Sequence, residues 1–209
     1  MSLLGKVHDY PLYRTAGKGA FSRFTTPHIL GKMAKNDTLS TKGQNERINM
    51  NAYFAGGCFW CVTPIYKIYG VDKVTSGYSG GDEPNPTYKD VKAQKTGHRE
   101  TICLEYREDR VSFEKLLDIY FANVDPFDAE GQFIDKGFSY TLAIFYVNEA
   151  QRDAAEKKIA AVEAAAEKKV QVALLPFKSF WPAEEEHQDY YLKHPEEFEQ
   201  ELVSSGRKH

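Results

Sequence analysis

The sequence predicts an α/β or α+β domain built on a mixed β-sheet. Three observations carry this reading. Strand-like and helix-like segments alternate from residue 52 onward. Several of the strand-like segments end at glycines or alternate apolar and polar residues. One long Ala/Glu/Lys-rich stretch, 148–169, consists largely of strong helix formers.

The elements follow in order. Residues 51–57, "NAYFAGG", form a short strand ended by glycines. A helix follows to about Tyr69 and stops at Gly70, the usual terminator. Its start is ambiguous. Pro64 inside a helix removes a backbone hydrogen bond, whereas Thr63-Pro64 suits a cap and first-turn pair. The regular helix therefore begins either near Cys58 or only at Pro64. Residues 71–81 are a strand running into a glycine loop. Residues 82–98 are expected to be loop and turn, with Pro84 and Pro86 preventing regular structure at the start. In 100–109, Ile102, Leu104 and Tyr106 share one face of a strand. Residues 112–124 have helical spacing with Ser112 as cap. Residues 139–147 are a strand, 148–169 a helix capped by Asn148, 170–177 a strand, and 182–203 one or two late helices.

Residues 1–50 differ from the rest. The stretch 31–51 is polar, with scattered charges and little periodicity. It is expected to be an extension, loose or draped over a single domain spanning 51–209. The 209-residue chain is 42% hydrophobic and 27% charged with a formal net charge of −3. That is a soluble globular composition, and it gives no reason to expect nucleic acid or an anionic membrane as partner. No apolar run reaches the roughly 20 residues of a membrane span. The first residues lack the apolar core and cleavage site of a secretory signal. Three cysteines do not make a disulfide framework. The cytoplasm is the expected compartment.

The chemistry centres on Phe54-Ala55-Gly56-Gly57-Cys58-Phe59-Trp60-Cys61. Cys58 follows a strand and two glycines near a helix start, where backbone N–H groups stabilise a thiolate and lower its pKa. That makes it a candidate nucleophile; a buried inert cysteine is the alternative. A zinc site needs two further ligands, and neither Cys103 nor the six histidines supply paired spacing. A thioredoxin-like dithiol is the third reading. Phe59 and Trp60, however, suit an apolar pocket for a small group better. Downstream, "GYSGGDEPNPTY" carries Tyr78 and Tyr88, "TGHRET" carries Glu100, and "QFIDKGFSY" carries Asp135 and Tyr140.

In this order and spacing, "AGGCFWC", "GVDKVTSGYSGG", "NPTYKDV", "TGHRET", "VDP", "IDKGFSY" and "FWPAEEEHQDYYLKHP" resemble the A-type peptide methionine sulfoxide reductases across residues 52–198. The resemblance implies an α+β fold, a two-layer mixed sheet with helices packed on it and a ferredoxin-like core. It implies a peptide-methionine (S)-S-oxide reductase that turns methionine-S-sulfoxide, free or in proteins, into methionine and so repairs oxidised proteins. Cys58 would be the nucleophile, left as a sulfenic acid. Phe59 and Trp60 would hold the methyl group. Glu100 would be the acid, Tyr88 and Tyr140 the donors to the sulfoxide oxygen, and Asp135 would order the site. No cysteine follows Cys103, so Cys61 would resolve Cys58 through a tight Cys-x-x-Cys ring; if the local turn forbids that, an external thiol would reduce the sulfenic acid directly. Cys103, mid-strand, would be core. It further implies no cofactor beyond an external thiol such as thioredoxin, and a monomer.

Thr63, Val124 and Thr141-Leu142 depart from the family pattern, the last losing an arginine. They leave open an altered pocket. The rivals are a thiol–disulfide oxidoreductase using Cys58 and Cys61, and a catalytically weak sulfoxide-binding paralogue.

Overall fold

A computed structural model describes residues 49–205 apart from residue 68. The expected extension over residues 1–50 lies almost wholly outside the described residues.

Six strands form one mixed sheet. The first three are β1 (Met50–Ala55), β2 (Lys73–Ser79) and β3 (Arg99–Tyr106). β4 (Gly131–Gln132) and β5 (Asp135–Lys136) make a separate hairpin. β6 (Ala143–Tyr146), β7 (Ala173–Pro176) and β8 (Phe180–Pro182) complete the main sheet, whose order is β7-β6-β1-β3-β2-β8. Only the β6–β7 pairing is parallel. The helices are α1 (Phe59–Tyr66), α2 (Tyr88–Lys92), α3 (Phe113–Ala122), α4 (Glu149–Ala166), α5 (Tyr190–Lys193) and α6 (Pro195–Ser204). One-turn 3-10 helices cover Phe138–Tyr140 and Glu185–His187. The run β1-α1-β2-β3-α3-β6, with spatial order β6-β1-β3-β2, is the expected ferredoxin-like split βαβ unit.

Strand alternation explains the two layers. Ala52 and Phe54 of β1 and Ile102, Leu104 and Tyr106 of β3 are buried in one core cluster with residues of α1, α3 and α4. Phe54 is the hub, its ring 5.2–6.0 Å from those of Tyr66, Phe113 and Tyr120. Burying such a side chain contributes about 1.5–3 kcal/mol. The intervening residues Tyr53, Cys103 and Phe145 make a smaller cluster with Phe177 and Phe180. Cys103 is core, as expected, and burial pushes its thiol up to about 11.

The expected caps form. Ser112 Oγ accepts from the Lys115 amide at 3.2 Å and Asn148 Oδ1 from the Gln151 amide at 2.9 Å. Three expectations need correction, and three short strands have no counterpart in the sequence reading. α1 begins at Phe59 and keeps Pro64 inside it, ending at Tyr66 rather than Tyr69. Core packing of Phe59, Val62 and Tyr66 outweighs the one hydrogen bond that proline removes. The 82–98 segment contains α2, which starts just beyond Pro86 on the Thr87 cap. Residues 138–140 form a turn, so β6 starts only at Ala143. β4, β5 and β8 are too short, at two or three residues, to show a period.

Two features aim the chain at the next element. The Tyr120 hydroxyl donates to Ala55 O at 2.7 Å, fixing the end of β1. Gly57 then turns at φ 84, a conformation that excludes most side chains. Cys58 follows at the head of α1.

Candidate active site

Cys58 is the N-cap of α1, with φ −55 and ψ 118. Its carbonyl accepts from the amides of Cys61 at 3.1 Å and Val62 at 3.3 Å. The residue is 4% exposed, and its thiol is hydrogen-bonded to the Cys61 thiol. No disulfide joins the pair.

Glu100 comes up beneath the helix start from β3, where it pairs with Tyr78 of β2. It is 1% exposed, and its Oε2 accepts from the Phe59 amide at 3.0 Å. Burial pushes its carboxyl up to about 8. The Phe59 bond opposes the shift, while Asp135 and Cys61 add to it. Glu100 is therefore mainly a neutral acid at pH 7.

Of the two readings open for Cys58, a thiol favoured by helix-start amides and a buried cysteine, the burial and electrostatics support the second for its resting state. The hydrogen bond with Cys61, then burial, push the thiol well above its ordinary range, and the fields of Cys61, Glu100 and Glu201 add to this. The physical reason is the neighbouring thiol and the lack of water around it: Cys61 hydrogen-bonds to Cys58, and burial penalises the anion.

Tyr88 opens α2, and Tyr140 ends the 138–140 turn. Burial raises both phenols, and the fields of Glu100 and Cys58 raise both further. Tyr140 acts on Tyr88, and Asp135, half-buried in β5, acts on Tyr140. Phe59 and Trp60 lie in an aromatic wall. The Phe59 ring is 6.1 Å from Tyr88, and Trp60 is 5.7 Å from Tyr88. Two acids, two phenols, two thiols and two aromatics named from sequence thus converge on the start of α1.

Sequence reasoning missed the other half of this wall. Tyr190 lies flat on Trp60, with centroids 3.9 Å apart and planes within 10°. His187 lies 4.1 Å from Tyr88 and 5.7 Å from Trp60. Burial lowers the pKa of His187, leaving a neutral imidazole. Tyr78 donates to Glu184 Oε2 at 2.8 Å, and Glu184 Oε1 accepts from the Tyr88 amide at 2.9 Å. Trp60 Nε1 and His187 Nδ1 are buried without a hydrogen-bond partner, the kind of defect folds concentrate at functional sites. The dense Glu/His/Tyr run 184–191 was the available signal.

A thiol pair beside a buried acid, faced by phenols and aromatics, is the arrangement at the start of α1. The family model described as peptide methionine sulfoxide reductase matches residues 50–209. The chain belongs to the A-type peptide methionine sulfoxide reductases. The MsrA enzyme of Halalkalibacterium halodurans is 46% identical over 159 residues, covering 75% of this chain and 90% of that one. The reduced form of Mxr1 from Saccharomyces cerevisiae superposes with a TM-score of 0.68 at 27% identity, over 75% and 91% of the two chains. Methionine sulfoxide reductase A of Corynebacterium diphtheriae gives 0.64 at 27% identity, over 70% and 76%.

Peptide methionine sulfoxide reductases of this type return methionine-S-sulfoxide to methionine, and this chain is such an oxidoreductase. Its departures from the family pattern have visible settings. Thr63 Oγ1 meets Ser76 Oγ at 3.0 Å in the core. Val124 packs beside Gly56. Thr141 Oγ1 accepts from Arg99 Nε at 2.9 Å, so a guanidinium from β3 stands beside the turn that lacks its own arginine. Leu142 is fully buried. Among the described residues no helix is long and apolar enough to cross a membrane.

Proposed function

We propose that the reductase works through Cys58 as nucleophile and Glu100 as acid, with Tyr88 and Tyr140 as donors to the sulfoxide oxygen. The observation that carries this is the buried Glu100 carboxyl, pushed up to about 8 and held one residue from Cys58 by the Phe59 amide. A sulfoxide sulfur is a poor electrophile until its oxygen is protonated or strongly hydrogen-bonded. A neutral carboxyl supplies that proton, and two phenols that resist ionisation supply further donors.

The step balances without a cofactor. The Cys58 sulfur bonds to the sulfoxide sulfur as Glu100 gives its proton to the oxygen. The thiol proton returns to Glu100. The hydroxyl oxygen then moves to the Cys58 sulfur: a new sulfur–oxygen bond forms on Cys58, the substrate's sulfur–oxygen bond and the transient sulfur–sulfur bond both break, and the thioether leaves. Thiol plus sulfoxide has become sulfenic acid plus thioether, with no net proton change. Cys61, whose thiol already touches Cys58, then attacks the sulfenic sulfur; a disulfide forms and water leaves. An external dithiol of the thioredoxin kind reduces that disulfide and is itself oxidised. Both electrons travel through thiols, so no metal, flavin or nicotinamide is required.

Phe59 and Trp60 would receive the methyl group, and Asp135 would hold Glu100 and Tyr140 in their neutral forms. A cytoplasmic monomer acting on free and protein-bound sulfoxide fits this reading, since the cytoplasm maintains the reduced dithiol pool it needs.

The test is a single turnover. Reduced protein is mixed with excess methionine-S-sulfoxide peptide, and methionine is counted per chain. One methionine per chain is expected, and none from Cys58→Ser. Full activity in that variant would remove Cys58 from its role. Activity of wild type on disulfides but not on sulfoxide would favour the thiol–disulfide oxidoreductase.

A further inference from the structure

Gln94 occupies a backbone position where glycine is the ordinary residue. α2 ends with Lys95 N–H donating to Asp90 O and Gln94 N–H donating to Val91 O, each at 3.0 Å. That pair of bonds closes a helix on a left-handed residue. Gln94 is that residue, at φ 58, where a Cβ is crowded and glycine is not.

The side chain gives the strain a use. Gln94 Oε1 accepts from the Ser139 amide at 2.9 Å, and Gln94 Nε2 donates to Ser139 Oγ at 2.7 Å and to Lys92 O at 3.3 Å. The amide lies against Gly137, where a Cβ would come within 2.8 Å of it. Ser139 is fully buried and immediately precedes Tyr140. The other end of the same turn is gripped from β3. Thr141 Oγ1 donates to Phe138 O at 2.7 Å and accepts from Arg99 Nε at 2.9 Å, and the Arg99 guanidinium lies 4.2 Å from the Phe138 ring centre. Arg99 is the neighbour of Glu100. The turn carrying Tyr140 is therefore tied to the short helix that begins at Tyr88 and to the strand that carries the acid.

We propose that Gln94 is a positioning residue that holds Tyr140 in register with Tyr88, so that both phenols meet one sulfoxide oxygen. This rests on the reading of those tyrosines as donors. Gln94 touches neither substrate nor thiol; it acts through the Ser139 backbone. Its value lies in geometry, since a displacement of about 1 Å at a reacting group costs up to ~100-fold in rate.

Glycine makes the deciding substitution. Gln94→Gly removes the clamp and relieves the left-handed strain together. The enzyme variants Gln94→Gly, Tyr140→Phe and the double variant are compared in single turnovers at saturating sulfoxide peptide, with half-saturating concentration and Tm measured alongside. Gln94→Gly is expected to lower the maximal rate about tenfold or more, with half-saturation little changed and Tm lowered only slightly, because relief of the left-handed strain partly offsets the lost bonds. The double variant is expected to be no slower than Tyr140→Phe alone. A wild-type rate in Gln94→Gly, with Tyr140→Phe slow, overturns the clamp and leaves the donor reading standing. A Tm loss that parallels the rate loss makes Gln94 merely structural and also overturns it, as do fully additive losses in the double variant. A wild-type rate in Tyr140→Phe removes the donor reading and the clamp with it.

Discussion

The Phe59 amide and the Glu100 carboxyl, 41 residues apart in sequence, meet at 3.0 Å directly beside Cys58. This bond uses the first amide of α1 to seat an acid. Beside it, the Cys61 thiol and burial hold the Cys58 thiol well above its ordinary range. The resting site therefore holds a neutral acid and a neutral thiol side by side.

Replacing Glu100 by Gln should lower the single-turnover rate at pH 7 by about 10²–10⁴-fold, the usual worth of a positioned acid. Wild-type rate should fall as pH rises through about 8, because the protonated carboxyl is the active form. A rate–pH profile of both proteins checks this. A Glu100→Gln variant with the same limb near pH 8 would assign that limb to another group.

The same substitution should stabilise the fold at neutral pH. Glu100 holds its proton to about 8 when folded, against an ordinary value of 4.5 in the unfolded chain. Between those values the native state binds more protons, so stability falls as pH rises through the window. Glutamine keeps the acceptor for the Phe59 amide and carries no such cost. The gain should be about 2–4 kcal/mol at pH 7.5 and vanish near pH 4. Urea titrations at the two pH values measure it. An equal difference at both would place the effect in packing instead.

Much of this is legible in the sequence. Cys58, Phe59 and Trp60 are adjacent, so one motif reveals them. Ile102, Leu104 and Tyr106 alternate, so β3 shows its buried face. Glu100 and Tyr140 sit in short motifs that keep their order. What stayed hidden depends on chain segments meeting in space. Glu184 bonds residues 78 and 88 from about a hundred positions away, and no local period announces that. β8 has three residues and β4 and β5 two each, too few to show alternation. The thiol of Cys58 does not follow the helix-start rule because the fold buries it against the Cys61 thiol and near Glu100, and no local motif announces that burial.

Cys61 should be required for turnover but not for the first methionine. It occupies the third position of α1 while Cys58 caps it. Residues three apart on a helix have Cβ atoms about 5–6 Å apart, and a disulfide wants roughly 3.5–4.5 Å. Small closure of the first turn is enough. Cys61→Ser should yield one methionine per chain, accumulate a sulfenic acid trapped by dimedone, and turn over at least about tenfold more slowly with thioredoxin and its reductase. Wild-type turnover would mean that the external thiol attacks Cys58 directly.

Glu184 should matter to both stability and rate. Burial alone would raise its pKa, but the Tyr88 amide and Tyr78 hydroxyl outweigh that and hold the carboxyl below its usual range. Its two oxygens tie β2 to the start of α2, and it directly precedes the turn carrying His187. Hydrogen bonds to charged groups are worth about 1.5–3 kcal/mol each. Glu184→Ala should therefore lose about 2–4 kcal/mol at pH 7. Because the folded pKa is depressed, that advantage of wild type is present above pH 4.5 and fades as pH falls below it. Freed at its first amide, Tyr88 should lose its alignment, so the maximal single-turnover rate should drop along with Tm. Tyr78→Phe separates the two effects: it removes the bond from β2 but leaves the Tyr88 amide held. Tyr78→Phe should therefore lower Tm while keeping most of the rate, and a rate loss equal to that of Glu184→Ala would move the role from Tyr88 to Tyr78.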